Sequence, residues 1–485
     1  MDSYFHIGDQ QRRMAFAVAI GGVMRTEADK VDEAQIFGHP RGLAILAGTE
    51  LWEQLSFSGM QAILVLYMVE RLLLPGHVEH ILGFAAFRHL IEAVTGVLST
   101  QALASQIFGL YVGLIYFTPT FGGWIGDRFL GRARSVVLGA LLMTAGHFCM
   151  AFESSFLLAL LLLILGAGFL RGNLIPQVAE LYTPEDHRRS VAFQIFFCMV
   201  SIGSFVAPLV TGALSVTYGW GPAFAFAGFG MFVGLIVYLS GRSVLPPEPQ
   251  RGPEATAKTP LTAEERRVVL SLVAIIPILT LFWIAQAQIW NTYNIWVRDH
   301  VDLAVGSFTV PVPWLQSVDG LAPLVSLPAL LLFWRWQARR GAEPDEYHRM
   351  VLGLLIFGAS VLLLAAGQWI TDASGKTPLL LPVAFHFASN IGWLYFAPSA
   401  NSMFAGTAPR PVRGTMIGVY TLSMFFGSVI SGRMGGLYEH LSPALFWTIH
   451  AGVAVSGGVV LWIVGIPLRR VIGSVARPAQ LALIG

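Results

Sequence analysis

Apolar runs of roughly 20 residues, parted by short polar segments, recur along the whole chain, and each is long enough to cross a bilayer as a helix. They predict twelve spans, near 42–73, 104–124, 133–152, 155–174, 190–215, 222–240, 264–297, 312–336, 348–369, 379–404, 412–437 and 443–468. Two connections are longer than the rest. Residues 241–262 are rich in Pro and polar side chains and divide the spans six and six, as expected of a cytoplasmic linker between bundles at 42–240 and 263–468. The outer insertion 75–105 contains HILGFAAFRHLIEAVTGVL, whose helical periodicity carries Arg88 and Glu92. It predicts an amphipathic helix at the membrane surface rather than a thirteenth span. Arg12 and Arg13 precede MAFAVAIGGVM, which resembles the start of a signal peptide but is too short to span. Residues 1–41 and 469–485 are expected to be cytoplasmic tails, with an interfacial helix as an alternative for the N-terminal apolar run.

Composition agrees with a bilayer as the solvent. Of 485 residues, 55% are hydrophobic and 12% charged, against about 25% charged in soluble domains; the mean hydropathy is +0.65. With the N-terminus inside, 24 of the 30 Lys and Arg fall on the cytoplasmic side. Four (Arg71, Arg88, Arg298, Lys376) fall outside and two, Arg171 and Arg433, within spans, which is a strong positive-inside bias. Arg433 is expected near the cytoplasmic end of its span, where it would snorkel. The net charge of +2 gives no case for nucleic acid as a partner. Cys149 and Cys198 lie in apolar runs and read as buried thiols, without disulfide or metal-ligand spacing. The histidines His147, His386 and His450 are expected to make helix–helix hydrogen bonds rather than to carry protons.

Glu50 and Glu53 stand in the first span, with no Lys or Arg between Arg41 and Arg71. A carboxylate at that depth is costly unless paired, hydrated or protonated. Spaced three apart, the two share one helix face and read as a proton or cation site. Arg171 cannot lose its proton, so it needs an anion, either one of these glutamates or a substrate carboxylate. Competition between those anions would couple protons to substrate, because a glutamate that loses its counter-ion favours protonation. The alternative is a purely structural buried ion network. In GGWIGDRFLGRAR, 122–134, Gly126, Gly131 and the small residues, Gly123 among them, permit close helix approach, while Asp127, Arg128 and Arg132 can form a cytoplasmic charge latch between helices. The chain lacks a Walker lysine motif, a zinc signature and a nucleophile elbow, so no enzyme activity, metal or cofactor is expected beyond a proton gradient.

That loop resembles the signature of major facilitator transporters. Four further segments narrow the likeness to the proton-dependent oligopeptide transporter family: HPRGLAILAGTELWEQLSFSGMQAILVLYM in the first span, GAGFLRGN at 166–173, FQIFFCMVSIGSFVAPLVTG at 193–212, and PWLQSVDGLAPL with YFAPSANSMFAGTAPRPVRGTMIG. The resemblance implies an all-α integral membrane protein of the major facilitator fold, with twelve transmembrane helices in two six-helix bundles and both termini cytoplasmic. It assigns proton coupling to Glu50 and Glu53, and substrate binding to Arg171 and Asn173. Tyr116, Trp283 and Tyr420 fall where the family lines its cavity, and the chain is expected to be a monomer. Departures are equally specific. The family's two first-span arginines are Gln54 and Gln61 here, its seventh-span glutamate is Ala287, its fifth-span asparagine is Ser201, and its tenth-span glutamate is Trp393. Losing Gln61's and Ala287's charges together avoids stranding either member of the family's outer gate pair. One carboxylate is gained: the eighth-span asparagine is Asp319, expected either to hold a substrate ammonium or a second proton, or to be a solvated group near the outer mouth.

The expected function is proton-driven symport of di- or tripeptides or peptide-like solutes, by alternating access across a bacterial-type inner (plasma) membrane. Two alternatives remain: transport of a non-peptide organic anion or amino-acid conjugate, and a non-transporting sensor or scaffold.

Overall fold

A computed structural model describes residues 35–183, 186–246, 260–371 and 375–481. Residues 1–34, which hold the N-terminal apolar run, most of the linker, and the extreme C-terminus lie outside the described residues. Among the described residues, twelve helices are long and apolar enough to cross a membrane: Arg41–Leu72, Thr100–Leu130, Arg132–Met150, Glu153–Glu180, Arg188–Tyr218, Trp220–Ser240, Ala263–Trp290, Trp314–Arg339, Glu346–Ala366, Leu380–Thr407, Arg413–Glu439 and Pro443–Gly465. Helices dominate because hydrocarbon offers the backbone no partners, so each segment must satisfy its own N–H and C=O groups. Proline is tolerated inside five of them, at Pro119, Pro176, Pro208, Pro323 with Pro328, and Pro398, where packed neighbours support the opened backbone.

The first span packs on the fifth and sixth, the third on the fourth and sixth, and the second on the fourth. Adding six to each number gives the pairs of the second half: seventh on eleventh and twelfth, ninth on tenth and twelfth, eighth on tenth. The two six-helix bundles therefore repeat one packing scheme. Their seams repeat it too, joining the second span to the eleventh and the fifth to the eighth. Both seams need glycine: a Cβ on Gly109 would overlap the Ser428 carbonyl oxygen, and one on Gly320 would overlap the Phe205 backbone nitrogen.

Three findings modify the expectations, and a fourth, the short helix of the insertion, agrees with them. The seventh span, predicted as one helix to 297, breaks at Asn291 (φ −108°, ψ −106°), and a separate helix follows at Thr292–His300. The insertion forms a helix at Phe84–Thr95, too short to span; Phe84 and Ile91 are buried while Leu90 and Val94 are exposed. Arg433 sits in the last turn of the helix Arg413–Gly435, lining a pocket with Ser99 and Ala102 at the start of the second span. It is therefore at the end opposite the 126–131 loop, because successive spans alternate in direction. Cys149 is half-buried and Cys198 exposed, both as free thiols, so neither is a fully buried group.

Candidate functional site

A cavity of about 350 Å³ lies between the bundles, the size of a small-solute pocket. The first span supplies one wall through Glu50, Gln54, Phe57, Ser58 and Gln61, residues spaced so that helical periodicity stacks them on one face. Arg171, from the fourth span, completes that wall. Its Nε donates to Glu53 Oε1 at 2.9 Å, Nη2 lies 2.9 Å from the same oxygen, and the guanidinium carbon is 4.2 Å from the centroid of the Phe57 ring. Glu53 is fully buried behind the arginine, whose side chain keeps 17% of its surface exposed. Glu50 lines the cavity one turn away and is 7% exposed. The guanidinium thus stands between a hidden carboxylate and the open cavity. Gln54 Nε2 donates to Ser58 at 2.7 Å and to Ser204 of the fifth span at 2.8 Å, which fixes this face of the first helix.

The facing wall carries a carboxylate of its own. Asp319, from the eighth span, lines the cavity; its Oδ1 accepts from Asn390 Nδ2 at 2.7 Å and lies 3.5 Å from His386 Nδ1. Trp283 and Trp393 line the same side. Aromatic pairs bridge the bundles: Tyr116 on Trp283, with centroids 6.2 Å apart, and Phe197 stacked on Trp393 at 5.9 Å with 16° between planes. Such pairs stabilise the closed arrangement of the walls beyond their area alone.

The model of the POT family matches residues 133–259 and 254–448. The chain belongs to that family. It is 26% identical, over 91% of its length and 98% of the relative's, to a di-/tripeptide transporter of Lactococcus lactis subsp. cremoris. It is 24% identical, over 93% of its length and 99% of the relative's, to a peptide transporter of Yersinia enterocolitica. A crystal structure of a POT peptide transporter variant bound to alafosfalin superposes with a TM-score of 0.76, at 25% identity, covering 92% of this chain and 99% of that one. POT family members are transporters, so this is a multi-pass membrane transporter of the major facilitator fold.

Within the POT frame, Glu50, Arg171, Gln54, Gln61, Tyr116, Trp283, Asp319 and Trp393 all come together at the cavity, as does Ser201. Two expected cavity residues do not. Asn173 is fully buried and donates to the carbonyls of Gly122 and Phe169, filling the space beside Gly126 under the signature loop. It follows Arg171 by two, and on a helix that spacing points to the opposite side. Tyr420 is buried against the Phe404 ring, outside the cavity lining. Asp319 faces the cavity rather than an outer mouth.

The loop latch differs in one member. Arg132 pairs with Asp127 at 2.8 Å and with Glu180 at the end of the fourth span, while Arg128 is exposed without an ion-pair partner among the described residues. Gly131 makes the turn into the third span at φ +85°, and Gly123 lets the second span lie against Gly172.

Ala287 is buried and Gln61 neutral, so no ion pair forms at the position of the family's gate. Amides cross that end instead: Gln316 Nε2 donates to Asn294 Oδ1 at 2.6 Å, and Asn294 Nδ2 donates to the Ala62 carbonyl at 3.4 Å. Trp314 Nε1 donates to the Leu209 carbonyl, and Arg298 pairs with Glu70 at 3.2 Å, so polar contacts join the two bundles at the end opposite the 126–131 loop. The histidines depart from expectation as well. His450 bonds to Phe446 of its own helix, His147 has no hydrogen-bond partner among the described residues, and His386 faces Asp319. Sequence reasoning missed Asn390 and the meeting of His386 with Asp319; the i,i+4 spacing of His386 and Asn390 on one helix was the available signal.

Proposed function

We propose that this transporter imports di- or tripeptides or closely similar zwitterions together with protons, across the inner (plasma) membrane, working as a monomer with both termini and the 126–131 loop in the cytoplasm. The observation that carries the reading is the pairing of Arg171 with Glu53 at the cavity wall, with Glu50 beside it. A substrate carboxylate that approaches Arg171 competes with Glu53 for the guanidinium. Once displaced, Glu53 is a buried carboxylate without a counter-ion, and proton uptake is its least costly state. Protonated, it no longer holds the arginine, and the loaded cavity carries no stranded charge through the conformational change. Asp319 on the facing wall suits a substrate's positive end, so the two walls match a zwitterion. The contacts among Ala62, Asn294 and Gln316 and between Glu70 and Arg298 join the bundles at the outer end in this state, and must part for substrate to enter from outside.

Reconstituted into vesicles, the wild-type protein is expected to accumulate a radiolabelled dipeptide when a pH gradient is imposed. Glu53→Gln should lose accumulation yet retain exchange of internal for external dipeptide. Full uphill uptake by Glu53→Gln removes the coupling role.

A second reading, an amino-acid conjugate or other organic anion as substrate, is favoured by Trp393, which stacks on Phe197 where the family places an acidic residue. Competition by a mixture of dipeptides separates the two: a peptide carrier loses uptake of its substrate, and a carrier of conjugates keeps it.

A further inference from the structure

The eighth span is the least covered of the twelve: 22% of its most apolar 18-residue stretch is buried. Its last turns read LLFWRWQARR, residues 331–340. At about 100° per residue, Trp334 falls on one side of the helix, and Leu332, Arg335, Trp336, Arg339 and Arg340 fall on the other. Trp334 faces protein: its ring meets Tyr395 edge-on with centroids 5.3 Å apart, and the Arg349 guanidinium carbon lies 5.1 Å from its centroid. The other side is exposed, with Leu332 at 67%, Trp336 at 48% and all three arginines in the open. On that side Trp336 stacks on Phe333, 5.7 Å between centroids and 23° between planes, and the Arg340 guanidinium carbon lies 4.2 Å from the centroid of the same indole. No Asp or Glu occurs between Asp319 and Glu343. The acids that follow are engaged elsewhere: Glu343 pairs with Arg349, Asp345 accepts from the His348 N–H at 2.8 Å, and Glu346 accepts from Ser402. Arg335, Arg339 and Arg340 thus have no ion-pair partner among the described residues, whereas Arg132, Arg188 and Arg349 each have one.

The order of side chains along the axis matches a membrane border. Trp336 lies about 6 Å beyond Leu332 and Arg339 about 10 Å beyond it, while the headgroup layer on each side of a bilayer is about 5–8 Å thick. With Leu332 in hydrocarbon, the indole falls at the hydrocarbon edge, where Trp is favoured, and the arginines reach phosphate level, Arg335 by extending its stem. We propose that this face is a binding site for an anionic phospholipid of the cytoplasmic leaflet. Its phosphate is held by Arg335, Arg339 and Arg340, and its acyl chains lie along Leu332 and Phe333. A guanidinium resting on a ring keeps its in-plane N–H donors free, so Arg340 is presented ready to bind phosphate oxygens. A free phosphate ion would meet the same donors but would leave the apolar face uncovered, which makes the lipid the occupant. The leaflet follows from the orientation proposed above, which puts this end of the span on the side of the 126–131 loop. Lipid binding in detergent does not depend on that orientation, so the two can fail separately.

The test uses the full-length protein in a neutral detergent, titrated with phosphatidylglycerol, with phosphatidylcholine or with inorganic phosphate. Retained lipid is counted by native mass spectrometry, and melting temperature is followed alongside. Each arginine near an anionic surface favours binding about fivefold, so two at one headgroup should give a preference for phosphatidylglycerol over phosphatidylcholine on the order of tenfold or more. Inorganic phosphate should leave the melting temperature unchanged. The triple variant Arg335→Gln, Arg339→Gln, Arg340→Gln should hold both lipids equally. Arg339→Gln alone, at an exposed position, should lower the preference several-fold and serves if the triple variant does not fold. Arg266→Gln with Arg267→Gln, which removes two exposed cations at the start of the seventh span, should keep the full preference. Equal binding of the two lipids by the wild type overturns the proposal. So does a phosphate-induced rise in melting temperature equal to that from phosphatidylglycerol, which would make this a site for the free ion. An equal loss in the 266 and 267 variant also overturns it, since the attraction would then belong to the whole basic surface.

Discussion

Removing the two members of the Arg171–Glu53 pair singly and together tests whether they act as a unit. At 2.9 Å and an effective dielectric near 20, the direct attraction is about 6 kcal/mol before desolvation is subtracted. Breaking a buried pair from one side typically costs about 3–5 kcal/mol, because it strands the other charge. The structure makes the two sides unequal. Glu53→Gln leaves a guanidinium that still has the Phe57 ring at 4.2 Å and Glu50 one helical turn from the lost carboxylate, so about 1–2 kcal/mol is expected. Arg171→Met leaves two acidic groups inside an apolar helix pair and should cost the full 3–5 kcal/mol or so at neutral pH. Acid should relieve part of that loss, since the orphaned carboxylates can accept protons. The double variant leaves no charge on Glu53 or at 171 and should be more stable than Arg171→Met alone. The assay is the melting temperature of each variant in detergent at two pH values, with the four proteins forming a cycle. Single-variant losses that simply add in the double variant would refute the claim that the pair is coupled.

Two further outcomes follow from the packing. Gly122→Ala should separate the second and fourth spans and abolish folding or transport, because its Cβ would run into the Gly168 carbonyl; Gly123→Ala, whose nearest contact is 3.0 Å from Gly172 O, should be milder. Expression and melting temperature of the two variants check this, and equal stability contradicts it. At the insertion, the hydrogen bond from Arg88, and after it that from the Leu98 N–H, hold the Glu92 carboxyl below the usual carboxylate range. The stabilisation is present above that range and is lost as pH falls through the lowered value. The protection of the amides across 84–98, that is, their exchange relative to the intrinsic rate at each pH, should therefore fall in acid for wild type and be flat in Glu92→Gln; a flat wild-type profile of protection counts against the bonds.

The spans were legible because a bilayer requires long apolar helices. Glu50, Glu53 and Arg171 were legible for a related reason: charge inside a membrane is too costly to be incidental. Direction around a helix was harder. Asn173 stands beside Arg171 in the sequence yet serves the contact with the signature loop, because two residues turn a helix by more than half a circle. Tyr420 lies on a cavity-forming helix, but it is buried, with its ring packed on Phe404, and does not line the cavity. Arg433 shows that a residue's depth follows from the direction of its span, which alternation alone would have given. The break at Asn291 carries no Pro or Gly to mark it. The meeting of His386 with Asp319 joins two helices distant in sequence, and periodicity within either one is silent about it.

The most direct measurement of the central claim is infrared difference spectroscopy of the purified transporter, recorded as a dipeptide is added. The account predicts that binding produces the carbonyl stretch of a protonated, buried carboxyl group, and that this band is missing in Glu53→Gln. A wild-type spectrum in which peptide binds and no carboxyl group becomes protonated would contradict it.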